Sequence, residues 1–219
     1  MDTRQTILTC ARDLYQTKGM AGFSMRAVAR CAGISATAIY RHFDDKEDLL
    51  WEVVADGHLI LAQYLRQGLQ GVDARSRLMA GAMAYLDFAL AHRSHYLVMF
   101  GANPVEIGYQ TLRAKSGEEM TVTFQMFIDR VREFIGTLPA RSHDPIAWTY
   151  TLWGQIHGLV TLYFRVPADP ERAASLPPQV SSPEAFREFY RWSVETLLTG
   201  LASSESPPES PQAKKTRRS

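Results

Sequence analysis

Residues 23–50 read FSMRAVARCAGISATAIYRHFDDKEDLL, and this stretch decides the fold. Apolar residues at offsets of three and four after Ser24 predict a short helix that Ser24 caps. Gly33 stands where the chain must turn sharply, because glycine enters the left-handed backbone region without a steric penalty. Ser35 then follows as the cap of a second short helix. Two short helices around a glycine corner are typical of a helix-turn-helix DNA reader.

The second helix of this motif has an inner and an outer face. Ile39 and Phe43 lie four residues apart and are expected to anchor it inward, which leaves small and polar residues facing outward. Asp45 is expected to cap a longer third helix, whose first turn carries a lysine where backbone N–H groups and the helix dipole suit a phosphate. The predicted DNA contacts are Ser24, Arg26, Ser35, Ala36, Thr37, Tyr40, Arg41, His42 and Lys46.

Charge supports this prediction. Residues 1–43 hold six Lys or Arg against two Asp, whereas the whole chain has a formal net charge of only +1. A basic module on a chain that is otherwise near neutral is typical of a DNA reader joined to a separate domain with another task.

The first fifty residues resemble the TetR family of bacterial one-component regulators. The resemblance rests on an amphipathic first helix ending at Gly19, on the run AVARCAGIS, and on AIYRHF followed by DKEDLL. It implies a homodimer that binds a palindromic operator on double-stranded DNA and, as the usual mode, represses transcription until a small ligand releases it. Ala36 departs from the family pattern, because a basic side chain often occupies this position.

Composition favours an ordinary globular protein, with 46% hydrophobic and 21% charged residues in 219. The first ten residues lack the pattern of a secretory signal, so we expect a cytoplasmic protein. Cys10 and Cys31 are too few for a disulfide framework; buried free thiols are expected, with a redox switch between the two as the less favoured alternative. The uncharged stretch at residues 145–164 is long enough to span a bilayer, yet its Gln155 and His157 favour a buried helix and no membrane partner.

The periodicity predicts helices and no strands, hence an all-α fold. It comprises an N-terminal three-helix helix-turn-helix DNA-binding domain and a C-terminal helical domain for ligand binding and dimerisation. The predicted bounds are residues 1–50 and 51–202, followed by a disordered polar tail at residues 203–219.

Two sets of residues in the second domain are candidate sites. Its LVMFG and WGQIHGL stretches resemble a TetR subgroup whose ligand domain is marked by Trp, His and Gly. Aromatic and polar side chains on different helices could form an apolar ligand pocket, namely Tyr85, Phe88, Met99, Phe100, Phe124, Phe127, Trp148 and His157. Two glycines on one helical face, which would let another helix approach closely, and an apolar stripe on the last helix predict a dimer seam of Gly154, Gly158, Trp192, Leu197, Leu198 and Leu201.

The alternative is an all-α enzyme or a metal-binding helical protein without DNA binding. The sequence lacks the spacings of a di-iron helix pair, a zinc helix, a Cys-x-x-Cys pair or a glycine-rich phosphate loop, so we predict no enzyme, metal or cofactor. His92 and His95, with Asp87 nearby, form the one weak metal candidate. Two solvent-facing surface histidines are the expected state there.

Overall fold

The computed structural model is helical throughout the part of the chain that it describes, which comprises residues 2–68, 71–101, 117–139, 144–165 and 177–203. No strand occurs within these ranges, which confirms the all-α prediction. The helices are α1 (Thr3–Gly22), α2 (Met25–Cys31), α3 (Lys46–Gly68), α4 (Ala74–Ala91), α5 (Arg93–Gly101), α6 (Gly117–Ile135), α7 (Pro145–Tyr163) and α8 (Pro183–Ser203). Short 3-10 turns occur at Ile39–Arg41 and Pro178–Val180.

Side-chain caps set the starts of several helices. Asp73 and Asp144, for example, accept hydrogen bonds from the backbone N–H groups of Ser76 and Ile146 at 2.7 and 2.9 Å. Within α1, Gly19 has φ +61°, so helical geometry breaks where the sequence predicted the helix to end. The predicted tail beyond Ser203 lies outside the described residues.

The first of two compact units comprises Met1–Gln67 and Asp87–Gln125. Its core packs α1, α2, the 3-10 turn at Ile39–Arg41 and the start of α3 around fully buried apolar side chains. Among them are Ile7, Ala11, Val28, Ile39, Phe43, Leu49 and Leu50. This unit therefore holds the whole helix-turn-helix, which we call the head (residues 2–54).

The second compact unit comprises Gly68–Leu86 and Met126–Ser219. Trp148 of α7 is its largest fully buried side chain and packs near Phe134 of α6. Tyr190 of α8 is fully buried, and its hydroxyl donates to the carbonyl oxygen of Ala82 at 2.9 Å. The predicted boundary at residue 50 separates a DNA-binding domain from a ligand-binding domain and not two compact units, so it stays a prediction.

The uncharged stretch forms α7, which buries Trp148, Leu152, Ile156 and Val160 along one face. Among the described residues, no helix is both long and apolar enough to cross a membrane.

Candidate nucleic-acid interface

Helix α2 begins and ends as its sequence dictates. The Ser24 Oγ accepts a hydrogen bond from the Ala27 N–H at 3.2 Å, which satisfies one of the open donors of the first turn. Met25, Val28 and Ala29 are buried against the head core, so Arg26 and Arg30 on the other face are exposed. The helix thus presents two exposed cations, Arg26 beside its capped N-terminus and Arg30 in its last turn.

The corner after α2 depends on glycine. Gly33 has φ +69°, its N–H donates to the Arg30 carbonyl at 3.3 Å, and the Ile34 N–H reaches back to the Ala29 carbonyl at 3.0 Å. These paired bonds form a Schellman motif, whose left-handed residue is usually glycine because a Cβ is unfavourable there. The corner therefore directs the chain into the second element of the motif.

The second element is shorter than predicted. The Ser35 Oγ accepts from the Ala38 N–H at 3.0 Å, as expected of a cap, but regular structure follows only as a 3-10 turn at Ile39–Arg41. A 3-10 turn is wound more tightly than an α-helix and rarely runs beyond three or four residues, so this element is shorter than the helix that was predicted. Its inner residues are nevertheless the predicted ones, because Ile39 and Phe43 are fully buried.

The outward residues of this second element form a continuous polar surface, which we call the reading face (residues 35–42). Ser35, Ala36, Thr37, Arg41 and His42 are exposed, and Tyr40 is 55% exposed. Thr37 and Ala36 are small enough for a close approach to base edges, while the hydroxyl, imidazole and guanidinium groups can donate to phosphate oxygens.

Lys46 opens α3 in an unexpectedly acidic turn. The Asp45 Oδ1 accepts from the Asp48 N–H at 2.8 Å and caps the helix as predicted, and Asp48 in turn accepts from the Asp44 N–H at 2.9 Å. One of the first-turn N–H groups that the sequence had assigned to a phosphate, that of Asp48, is therefore already paired with the Asp45 side chain. The Lys46 Nζ lies 5.6 Å from the centre of the Phe23 ring, within the range of a cation–π contact.

One ion pair that the sequence did not reveal joins the start of α1 to α3. The Arg4 Nη2 lies 2.5 Å from the Glu52 Oε2, and its guanidinium carbon lies 5.3 Å from the centre of the Phe43 ring. The partners are 48 positions apart, a separation that helical periodicity does not predict.

The two cysteines differ from expectation. Cys10 on α1 and Cys31 at the end of α2 form a disulfide with their Cα atoms 5.8 Å apart, whereas free thiols were predicted. Cys10 is 8% exposed, but Cys31 is exposed, so the bridge lies at the edge of the head core. The prediction of two buried thiols was wrong because the fold brings two positions 21 residues apart into contact.

A buried polar cluster replaces the weak metal candidate. His95 is only 7% exposed, and its Nε2 lies 3.1 Å from both the Arg12 Nη1 and the Asp56 Oδ2. That nitrogen can accept from Arg12 or donate to Asp56. His92 stacks on Phe88, and burial, aided by the nearby positive charges, lowers its pKa. The expectation of two solvent-facing histidines was therefore wrong for His95.

In the described part of the chain, no three His, Cys, Asp or Glu side chains are grouped so as to hold a metal ion.

The eight ligand candidates fall equally into the two compact units. In the first unit, Phe88 is fully buried, while Met99, Phe100 and Phe124 are half-buried. In the second unit, Tyr85 and Trp148 are buried, while Phe127 and His157 are half-buried.

Each unit also has a polar pair beside its candidates. The His58 Nδ1 lies 3.0 Å from the Thr123 Oγ1, next to the Phe100 ring, and burial lowers the pKa of His58 to about 4. In the second unit the Tyr85 hydroxyl lies 3.0 Å from the His157 Nδ1, and Trp153 stacks on that imidazole. Burial lowers the pKa of His157 as well, so the neutral imidazole is favoured.

Helices α7 and α8 pack together and leave apolar side chains exposed. Gln155 donates to the Ser193 Oγ at 2.6 Å, and the Tyr163 and Phe186 rings stack with centroids 4.0 Å apart. Of the predicted seam, Trp192 is 63% exposed, Leu197 and Leu201 are half-buried, and Leu198 is fully buried within its own unit.

The two seam glycines lie in open space. A Cβ added to Gly154 or Gly158 would meet no atom within 4 Å. Two further residues of α7 that the sequence did not single out, Tyr150 and Leu162, are 57% and 63% exposed. Two glycines and large apolar side chains on one exposed helix are the features that helix-to-helix association requires.

Comparison with family models adds independent information. The model described as bacterial regulatory proteins, tetR family, matches residues 7–53, and the tetracyclin repressor-like C-terminal domain model matches residues 78–182. The first match covers the reading face, and the second covers the WGQIHGL stretch of α7.

Individual relatives agree with these matches. An uncharacterized HTH-type transcriptional regulator of Haemophilus influenzae is 26% identical over 170 residues, which are 76% of this chain and 77% of that protein. A solved structure of a protein of unknown function from Rhodococcus sp. RHA1 is 25% identical, with a TM-score of 0.68 over 93% of this chain and 97% of that one. The TetR family regulator PfmR from Thermus thermophilus shares the fold at 19% identity, with a TM-score of 0.65 over 89% and 98% of the two chains.

Proposed function

This chain belongs to the TetR family and is a DNA-binding transcriptional regulator, and on that premise we propose that it is a repressor released by a small apolar or aromatic ligand. Members of the family bind DNA and small molecules, form dimers and are normally not enzymes. We place this protein in the cytoplasm, where a bacterial regulator meets chromosomal DNA. The observation that carries the proposal is the exposed reading face behind its glycine corner.

The proposed DNA contacts divide by chemistry. Tyr40, Arg41, His42 and Lys46 bind phosphate oxygens and set the position of the head on the duplex. Thr37 and Ala36 face base edges in the major groove, where a hydroxyl or a methyl group discriminates between bases. The last group lies at the capped helix ends that are proposed to approach the DNA backbone. Ser24 and Ser35 are the caps, and Arg26 lies in the turn that follows Ser24.

Salt dependence tests the phosphate contacts. A duplex selected from a random library by the purified protein would serve as operator, and affinity would be measured against salt concentration. Lys46→Ala is expected to reduce the log–log slope by about one unit, because one phosphate contact and its released counterion are lost. Arg165→Ala, which removes an exposed cation from the second compact unit, is the matched control and should leave the slope unchanged. Equal slopes for wild type and Lys46→Ala would refute the contact.

Base discrimination is a separate readout. Thr37→Ala should change which duplex is selected, with a smaller change in affinity for nonspecific DNA. An unchanged selection would show that Thr37 does not face base edges.

The proposed partner of the exposed α7 and α8 surface is a second copy of this chain. Gly154, Gly158, Trp192, Leu197 and Leu201 would form the seam, and Tyr150 and Leu162 extend its apolar surface. Two half-sites of a palindrome, roughly 34 Å apart, require two heads at a fixed separation. A dimer through this surface supplies that symmetry.

A single substitution tests this seam. Within one chain Gly158 has open space around it, so Gly158→Leu should leave the subunit folded and yet keep two helices apart. We expect sedimentation to show a monomer and operator affinity to fall sharply. Gly101→Leu is the matched control, since a Cβ there also meets nothing within 4 Å and Gly101 lies on α5. A Gly158→Leu protein that still sediments as a dimer would place the seam elsewhere.

We propose that the ligand binds among the candidates of the second unit, namely Tyr85, Phe127, Trp148 and His157. The half-buried Phe127 ring supplies apolar surface, and the Tyr85–His157 pair supplies polar groups that can orient a small molecule. A typical coupling of about 1–3 kcal/mol between ligand and operator would weaken DNA binding about 5- to 150-fold.

Small molecules that co-purify with the protein would be released by denaturation, identified by mass spectrometry and titrated against the operator complex. Phe127→Ala should alter this response and leave DNA binding by the ligand-free protein largely intact. Equal loss of both properties would mark Phe127 as ordinary core, and an operator affinity that no bound molecule changes would refute the release mechanism.

A further inference from the structure

The Cys10–Cys31 bridge is the one covalent link between helices of the head within the described residues. We propose that it is a reversible modification site, at which a peroxide oxidises two thiols to a disulfide and thereby strengthens operator binding. This inference rests on the proposed function for its effect on DNA and for the reducing compartment; the thiol chemistry itself stands on the geometry.

The geometry allows the bond to form and break without rebuilding the head. The Cα separation of 5.8 Å is within the usual range for a disulfide. The apolar core around Ile7, Val28 and Phe43 packs the same helices together, so the reduced head keeps its fold. Cys31 is exposed at the end of α2, where an oxidant or a reducing dithiol in solution can reach it.

The compartment makes a permanent bridge unexpected. A chromosomal regulator works among cellular reductants that keep thiols reduced, and disulfides formed there are usually transient and redox-sensing. The chain has only these two cysteines, so oxidation has a single intramolecular product.

The chemistry balances with peroxide as the oxidant. The Cys31 thiolate attacks one peroxide oxygen, the O–O bond breaks, and Cys31 sulfenic acid and one water form once the leaving hydroxide takes up a proton. The Cys10 sulfur then attacks the sulfenic sulfur, the S–O bond breaks, and a second water leaves as the disulfide forms. Two electrons pass from the thiols to the peroxide. A cellular dithiol reverses the process by thiol–disulfide exchange and is itself oxidised.

The position of the bridge explains why DNA binding would respond. Cys31 lies two residues before Gly33, whose left-handed corner aims the reading face, and Cys10 holds that end of α2 to α1. A cross-link here restricts the corner in the arrangement that exposes Thr37 and Tyr40. Pre-organisation of a binding surface lowers the ordering cost of association, so the oxidised form binds operator more tightly.

The test uses the full chain and two independent readouts. Thiols are counted by alkylation and mass spectrometry after reduction, after equimolar hydrogen peroxide, and after a second treatment with dithiothreitol. We expect two alkylated cysteines, then none, then two again. Operator affinity is measured in parallel, and the oxidised protein should bind roughly 3- to 10-fold more tightly than the reduced protein.

Cys31→Ser is the matched control. It leaves Cys10, which is nearly buried, as the remaining thiol, so cross-linking between chains is disfavoured. Its operator affinity should equal that of the reduced wild type and should ignore peroxide. The melting temperature supplies a second comparison, because closing this loop should raise Tm of the wild type by roughly 5–10 °C on oxidation and leave the variant unchanged.

Three outcomes overturn the proposal. Thiols that remain alkylatable after peroxide would exclude the modification, and a bridge that resists dithiothreitol in the folded protein would make it a permanent structural link. Oxidised and reduced proteins with equal operator affinity would remove the regulatory role. A protein that completes the thiol cycle but selects no duplex in either state would instead refute the proposed DNA-binding function, because the thiol count does not depend on DNA.

Discussion

The head and the α7–α8 pair both have local side-chain caps and long-range contacts, but they expose different surfaces. In the head, single side chains bond to backbone groups three residues away, as Ser24, Ser35 and Asp45 do. In the α7–α8 pair, long-range contacts include the hydrogen bond of Gln155 with Ser193. The head ends in a polar exposed face, whereas α7 and α8 expose Tyr150, Leu162 and Trp192. The difference in exposed chemistry fits the proposed roles, since a polar face suits DNA and an apolar face suits a second copy of this chain.

The largest expected effect is on the free energy of unfolding, and it differs between a buried and an exposed tryptophan of the second unit. Trp148 is 1% exposed, so Trp148→Ala should lower the free energy of unfolding by about 3–5 kcal/mol through lost burial and a cavity. Trp192→Ala removes a ring that is 63% exposed, and its effect should depend on protein concentration because it acts on the dimer. Urea unfolding at two protein concentrations distinguishes them. A concentration-dependent loss for Trp148→Ala would mean that its ring serves the dimer.

Acid should weaken the first unit through His58. Burial lowers the pKa of His58 from 6.5 to about 4, so between these values the unfolded chain binds the proton and the folded chain does not. This contribution to stability is complete above about pH 6.5 and is lost as the pH falls toward 4, amounting to about 2 kcal/mol at pH 5. His58→Asn removes the titrating group while keeping an amide that can bond to Thr123.

The measurement is the urea midpoint of both proteins at pH 7 and pH 5. The other histidines are common to the two proteins, so the difference between the two pH dependences isolates His58. Identical dependences would show that His58 is charged in the folded protein or accessible to water.

Two glycines in open space should respond oppositely to alanine. Gly33 in the head has φ +69°, where a Cβ costs about 1–2 kcal/mol although no atom is near enough to clash. Gly200 in α8 has equal space around an added Cβ, so Gly200→Ala should stabilise the chain by about 0.5–1 kcal/mol. Thermal unfolding of the two variants checks the signs. A stabilising Gly33→Ala would mean that the corner does not need its left-handed residue.

Local chemistry also explains which parts of the fold were predictable. A cap or a glycine corner is decided by residues within four positions, and so Ser24, Gly33 and Asp45 were assigned correctly from sequence. The second element was overestimated, because its short 3-10 turn follows from how Ile39 and Phe43 pack in the core rather than from helical periodicity.

Contacts between distant positions could not be predicted in the same way. The disulfide of Cys10, the burial of His95 between Arg12 and Asp56, and the close approach of α5 at Gly57, where a Cβ would meet the Met99 side chain, depend on helices meeting in three dimensions. A single sequence does not show which residues of one helix will contact which residues of another. The candidate DNA contacts therefore lie on one short local motif, whereas the ligand candidates were named on separate helices, and both sets stay predictions.

The smallest expected effect compares two serine caps, one in each compact unit. The Ser24 Oγ accepts from the Ala27 N–H at 3.2 Å, and the Ser182 Oγ accepts from the Ala185 N–H at 3.1 Å, so either alanine variant should cost about 1 kcal/mol of stability. Only Ser24 lies in the head, where it is a proposed DNA contact. Loss of its cap should fray the start of α2, so Ser24→Ala alone should weaken operator binding and reduce its salt dependence. Thermal unfolding and operator titration of both variants provide the test. Equal operator affinities at equal stability loss would show that the N-terminus of α2 contributes to the fold and not to DNA binding.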